Sequence, residues 1–198
     1  MEPLPRSFYE RNPKVVAQEL LGKIIVHQTI QGLLSAKIVE TEAYFGPGDP
    51  ASHAKTKTPR SAIMYGRAGH AYVYLNYGVH HLLNVVVEKE GKPGAILIRA
   101  VEPLERVDLM FKNRHTANLK ELTSGPGKLT KALGIDISHN GVDLVTGKLF
   151  LAEGTAEKFS IIARRRVGLS NDHGKPLRYY IENNPFVSRK WRALFLIL

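Results

Sequence analysis

The chain has 198 residues, 43% of them hydrophobic and 23% charged, a length suited to one cooperative core and short for two. It contains no cysteine, which excludes disulfides, thiolate nucleophiles and cysteine-ligated zinc, including that of the nucleobase deaminases, and fits a reducing compartment. Lys and Arg number 28 against 18 Asp and Glu, a formal net charge of +10 spread from Arg6 to Arg192. Such a surface calls for an anionic partner, with a phosphate backbone, a ribosome and an anionic lipid face all open at this point.

The opening MEPLPRSFYE has no apolar core behind a basic head, so the reading is an intracellular protein. Residues 12–22, NPKVVAQELLG, predict a short helix: Asn12 caps it, Pro13 takes its first position, Val16 and Leu20 lie four apart, and Gly22 stops it. KIIVHQT and LLSAKIVE, separated by Ile30, Gln31 and Gly32, predict a hairpin whose second strand delivers Glu40-Thr41-Glu42-Ala43-Tyr44 at its far end. Residues 45–69 turn to Gly, Pro, Ser, Lys and Ala without periodicity, and so long an irregular segment points to a binding surface. Strands are predicted at 71–77, 82–88 and 95–101, with Tyr72, Tyr74 and Asn76 on one face of the first and Val73, Leu75 and Tyr77 on the other. A helix follows Pro103 through LERVDLMFKN, another spans KLTKAL between Gly127 and Gly134, and FSIIARRRV and RYYI read as further sheet. The closing ALFLIL is a buried last turn or strand, because a membrane span needs roughly 20 apolar residues. The fold class is α+β: a single domain over 1–198, with a mainly antiparallel, curved β-sheet flanked by α-helices.

Several features carry chemistry, each beside a plainer reading. Gly125-Pro126-Gly127-Lys128 fails as a Walker loop, since Leu122 and Leu129 stand where a Gly and a Ser or Thr are required. It reads as a turn feeding a helix, whose N-terminus can accept one phosphate. His53, His70, His80 and His81 lack metal-ligand spacing, and His80 and His81 point to opposite strand faces, so no metal is expected. Asn84 and Arg99 are polar residues on apolar strand faces and need partners once buried. Glu40 and Glu42 share a strand face, either as a rigid carboxylate pair at a cavity edge or as an ordinary solvated strand end. Tyr44, Tyr72, Tyr74 and Tyr77 either stack a flat ligand or fill the core. The Arg164, Arg165 and Arg166 run is read as a solvated basic surface, and Lys37 as a surface residue.

KIVETEAYFGPGDPASH, then TPR, AYVYLNYGVHHLLNVV, ILIRAVEPLE, GPGKLTKALGI, and finally RVGL with KPLRYYI fall in one order across residues 8–188. Together they resemble the 3-methyladenine DNA glycosylases of the alkyladenine glycosylase type. The resemblance implies that Glu42 deprotonates the attacking water and that Arg99 supports the water and phosphate side of the site. It makes Tyr44, His53 and Tyr74 the walls of a pocket for a flipped base, with His53 also at the purine edge. Asn84 lies beside the base and opposes the amine of normal guanine, and Tyr77 wedges into the duplex through the minor groove. Val79 departs from the Met that relatives often carry after the Tyr-Gly pair, and residues 54–69 are compact, which touches DNA contact and lesion range. The implied partner is double-stranded DNA containing damaged purines, acted on by a monomer without cofactor or metal. The implied chemistry is monofunctional hydrolysis of the N-glycosidic bond of 3-methyladenine, 7-methylguanine or hypoxanthine, leaving an abasic site for base excision repair.

Overall fold

The computed structural model describes residues 1–169 and 174–188, so the ALFLIL tail lies outside the described residues. Within them, four helices, α1 (Arg6–Tyr9), α2 (Pro13–Glu19), α3 (Val107–Arg114) and α4 (Pro126–Leu133), pack on one curled antiparallel sheet. This is the α+β class read from the strand and helix pattern. No helix among the described residues is long and apolar enough to cross a membrane.

Helix α2 begins as its sequence dictates, with the Asn12 side chain accepting the Lys14 N–H at 2.9 Å and Pro13 at the first position. Its Val16 and Ala17 are buried, and the Ala17 carbonyl accepts the Thr41 hydroxyl at 2.7 Å, which ties the helix to the strand that carries the acidic motif. The hairpin forms from β1 (Ile24–Thr29) and β2 (Gly32–Tyr44), with Thr29 opposite Gly32. Three more strands, β3 (Ala71–Asn76), β4 (His80–Val86) and β5 (Ala95–Glu105), join it in the order β3-β4-β5-β2-β1. The edge is completed by β6 (Leu149–Ala152), which sequence patterning did not single out, while β8 (Arg178–Ile181) returns to pair with β2 and carries β7 (Ile161–Arg164) on its other side. Strand β2 is therefore held on both sides where it matters: Glu42 stands opposite Leu97 of β5 and Arg178 of β8. Register shifts around Glu40 bend the strand at that point.

One expected boundary is corrected. The helix after Pro103 does not start at Leu104, because β5 continues to Glu105 and α3 begins at Val107. Pro103 has no N–H to give, but it sits beside a register shift between Ser35 and Ala36, where a proline is tolerated. The chain leaves the strand at Arg106, in the left-handed region at φ 55°.

The alternation of β3, β4 and β5 sorts the molecule into two sides. Ala71, Val73, Leu83, Val85, Ile96, Ile98 and Ala100 face the main core with Leu20, Met110, Leu129 and Leu133 of the helices. The alternate residues, Tyr72 and Tyr74, Leu82 and Asn84, and Ala95, Leu97 and Arg99, line a cavity on the other side.

Candidate active site

The cavity has a volume of about 610 Å³, enough for a purine nucleoside with room to spare. Tyr44, His53, Tyr74, Tyr77, Asn84 and Arg99 all line it. Asn84 is buried and donates its amide N–H to the Tyr72 carbonyl at 3.1 Å, which satisfies one polar residue of an otherwise apolar face. His53 begins a short helical turn in the irregular segment, with Ser52 capping it at 3.1 Å from the Ala54 nitrogen. Its Nδ1 lies 2.9 Å from the Tyr72 hydroxyl and its ring meets Tyr74 edge-on with centroids 4.7 Å apart. Burial, with the nearby Arg60 charge, keeps the His53 pKa below its ordinary value, so the ring is neutral at pH 7. The Arg60 guanidinium rests 4.7 Å above the Tyr74 ring.

Tyr77 sits at the mouth, 89% exposed and at φ 51°. With Gly78 at φ 70° and the Val79 N–H donating to the Asn76 carbonyl at 3.1 Å, it forms the tight turn between β3 and β4. Strand parity predicts opposite faces for Tyr74 and Tyr77. Because β3 ends at Asn76, the turn overrides that parity, and Tyr77 projects at the rim of the same cavity rather than from the opposite face.

Glu42 lies just behind the cavity wall and is fully buried, as is Glu40, so the reading of this motif as a solvated strand end is overturned. Its Oε1 accepts the Val167 N–H at 2.8 Å and faces Arg99 Nη1 at 3.5 Å, while Oε2 accepts the Tyr44 hydroxyl at 2.9 Å. Val167, Arg99 and Tyr44 are themselves cavity-lining residues, so the carboxylate is one side chain removed from the space. Arg99, the second polar residue on an apolar face, stands between the two glutamates, with Nε 3.4 Å from Glu40 Oε1. Glu40 has a cation of its own, Arg178, at 2.5 Å, and accepts the Ser188 N–H at 2.7 Å. Burial raises the Glu42 pKa above the ordinary carboxylate value, opposed first by Arg99 and then by the Val167 and Tyr44 donors. Burial and the adjacent Glu42 charge raise the Tyr44 pKa well above the phenol value, so its hydroxyl remains a donor.

The family model for methylpurine-DNA glycosylase matches residues 7–185. The chain belongs to the methylpurine-DNA glycosylase family. A relative from Desulfitobacterium hafniense, provisionally named a 3-methyladenine DNA glycosylase, is 46% identical over 96% of this chain and 100% of its own length. Relatives with the same provisional name from Prosthecochloris aestuarii and Methanocella arvoryzae are 48% and 45% identical, over 93% and 96% of this chain and 90% and 98% of their own lengths. The protein is thus a DNA glycosylase, a hydrolase of N-glycosyl bonds acting in DNA repair.

Around the glycosylase cavity stand residues that sequence reasoning passed over. Arg166 is not part of a solvated basic surface: its side chain is 1% exposed and grips Asp49 through both nitrogens, at 2.7 and 2.8 Å. Three consecutive arginines look alike in a composition, and only the pairing with a carboxylate 117 positions away separates the buried one. Lys37 is likewise only partly exposed, bound to Glu102 at 3.0 Å and Glu157 at 3.1 Å. The Gly125 to Lys128 turn does feed helix α4, as read, and also lines the cavity. Among the described residues, no group of three or more His, Asp or Glu side chains converges as a metal site.

Proposed function

We propose that this glycosylase extrudes alkylated or deaminated purines, among them 3-methyladenine, 7-methylguanine and hypoxanthine, from duplex DNA and hydrolyses their N-glycosidic bond with a water activated by Glu42. The observation that carries the reading is the placement of Glu42 beside an aromatic-walled cavity, fully buried yet held by the Val167 N–H, the Tyr44 hydroxyl and Arg99. A carboxylate whose pKa is raised by burial is a stronger base when ionised, and the Arg99 charge favours that ionised form.

In this scheme the purine stacks against Tyr44 and Tyr74 with His53 at its edge, Tyr77 fills the vacancy in the duplex, and surface cations hold phosphates. Water oxygen bonds to the anomeric carbon as the carbon–nitrogen bond breaks, its electron pair leaves with the purine, and the water proton passes to Glu42. An alkylated purine that already carries positive charge departs neutral. Hypoxanthine departs after gaining a proton from solvent. No lysine side chain is needed as a nucleophile; Lys37 is held charged by its two carboxylates, which raise its pKa against the opposing effect of burial. Asn84 disfavours normal guanine by opposing its exocyclic amine. The acting species is a monomer, with residues 1–198 as one glycosylase domain.

The test is single-turnover base release from a hypoxanthine duplex and from methylated DNA, with chelator present, by the wild type and by Glu42→Gln. Release by the wild type and a loss of about 100-fold or more in the variant support the scheme. Equal release by both removes Glu42 from the role, and trapping of the enzyme on DNA by borohydride overturns direct hydrolysis.

A further inference from the structure

Two hydrogen-bond donors, the Val167 N–H and the Tyr44 hydroxyl, and the Arg99 ion pair at 3.5 Å hold the Glu42 carboxylate, and both donors depend on a residue outside the reacting group. The Val167 N–H lies in the segment after β7, which has no ladder of its own to fix it. The preceding side chain anchors it. Arg166 turns inward, donates to the Ala43 carbonyl at 3.1 Å and to Asp49 through both terminal nitrogens, and lays its guanidinium 4.7 Å from the centre of the Tyr44 ring. Tyr44 is the second donor to Glu42. Asp49 in turn gathers the loop that leads to His53, accepting the Phe45 N–H at 3.0 Å and the Ala51 N–H at 3.2 Å. The pair therefore joins β2 beside Glu42, the loop leading to the pocket wall and the segment bearing Val167.

We infer that Arg166 and Asp49 act as a positioning clamp, which sets the Val167 N–H and the Tyr44 hydroxyl on the Glu42 carboxylate while touching neither water nor base. This rests on the reading of Glu42 as the activating base. Arg99 approaches Glu42 independently from β5, so the clamp governs the two hydrogen-bond donors and not the ion pair. Fixing a reacting group to a fraction of an ångström is worth a large factor in rate: a displacement of about 1 Å costs roughly 100-fold. Free energy of this kind is lost when an anchor goes, even though the carboxylate remains.

The variant that tests it is Asp49→Asn with Arg166→Gln, which removes both charges together and leaves no buried ion unpaired. Single-turnover excision from a hypoxanthine duplex is followed across pH, alongside duplex affinity and thermal unfolding. The groups that face Glu42 are Glu40 and Tyr44 on its own strand, Arg99 on β5, Tyr74 on β3, and Arg166 with the Val167 N–H after β7, while Arg178 on β8 engages Glu40. The variant loses the Val167 and Tyr44 contacts, while the opposite charges of Arg166 and Asp49 leave together and largely offset each other at Glu42. Both contacts favour ionised Glu42, so the acidic limb of the rate profile moves to higher pH, the rate falls about 30-fold or more, and duplex affinity stays within about threefold. A rate and acidic limb that coincide with wild type overturn the clamp, whatever the melting temperature. A slower rate with an unmoved limb also overturns it, because that marks damage to the pocket walls alone. If the double variant does not fold, Asp49→Asn and Arg166→Lys singly, each keeping part of the pairing, give the same two readings at smaller amplitude. Full activity of Glu42→Gln removes the base reading itself; an inactive Glu42→Gln beside an unaffected clamp variant removes the clamp alone.

Discussion

Replacing Arg99 with Met keeps the length of the stem and removes the charge that stands between Glu40 and Glu42. The consequences fall unequally on the two carboxylates. Glu40 retains Arg178 at 2.5 Å and the Ser188 N–H at 2.7 Å, whereas Glu42 retains the neutral donors of Val167 and Tyr44 and, as its remaining cation, an Arg166 already paired with Asp49. Removing one partner from a buried ion pair costs about 3–5 kcal/mol, and Arg99 is only 12% exposed in its side chain against 0% for Glu42, so little solvent screening reduces that figure at neutral pH. Protonation then limits the cost. Glu42 already has a folded-state pKa raised above its unfolded value, so its ionisation subtracts stability as pH rises from the unfolded value through the folded one, and the variant pushes the folded value higher still. In the window where the variant holds one proton that the wild type lacks, the difference between them grows by about 1.4 kcal/mol per pH unit. At about pH 8 a loss of 3 kcal/mol lowers Tm by roughly 6–12 °C for a chain of this size, and near pH 5 the gap closes to what the changed packing costs. Scanning calorimetry of both proteins at matched ionic strength across that range measures it. A Tm gap that is the same at both ends refutes the electrostatic account and leaves only packing.

Two further substitutions probe the cavity mouth and its floor. Tyr77→Ala removes an 89% exposed ring from a turn at φ 51°, so unfolding changes by no more than about 0.5 kcal/mol, while affinity for a lesion-bearing duplex falls about tenfold or more; fluorescence titration with a 2-aminopurine beside the lesion checks both flipping and binding, and unchanged affinity would remove Tyr77 as the wedge. Asn84→Ala forfeits the hydrogen bond to the Tyr72 carbonyl, costs about 1 kcal/mol of stability, and raises release of unmodified guanine relative to hypoxanthine; guanine release that stays at the wild-type level excludes Asn84 as the discriminator.

Much of this was legible in the sequence because it rests on local rules. The Asn12 and Pro13 start of α2, the hairpin of β1 and β2 and the period-2 alternation of β3, β4 and β5 each follow from neighbouring residues, and the last of these put Asn84 and Arg99 on apolar faces, which the family resemblance alone assigned to the site. The alternation could say that two polar groups sat on apolar faces; it could not say which partners satisfied them. Arg99 meets glutamates some 60 positions earlier, and Arg166 meets Asp49 at a separation of 117, contacts that no window along the chain contains. Tyr77 failed for the opposite reason. The parity rule applies only while the strand lasts, and the turn at Tyr77 and Gly78 ends it one residue too soon.

The proposed reaction also sets an electrostatic problem that the buried charges answer. A protein of formal charge +10 attracts DNA but repels a purine made cationic by alkylation, which is the leaving group that needs least help. Near the cavity, among the described residues, Arg99, Arg166 and Arg178 are paired with Glu40, Glu42 and Asp49, and Lys128 of the lining is paired with Glu121. One face of Tyr44 carries Arg166 and one face of Tyr74 carries Arg60, so each ring has only its other face for the base, beside a His53 that is kept neutral. Ring faces attract a cation by up to about 2 kcal/mol when water is excluded, so in the proposed scheme a tyrosine-walled pocket whose innermost arginines are paired with carboxylates separates the two tasks, with the basic exterior holding phosphates and the ring faces favouring positive charge on the base. The neutral hypoxanthine gains nothing from that selection, and its excision therefore depends more heavily on the position of Glu42 and its activated water than the excision of 3-methyladenine does.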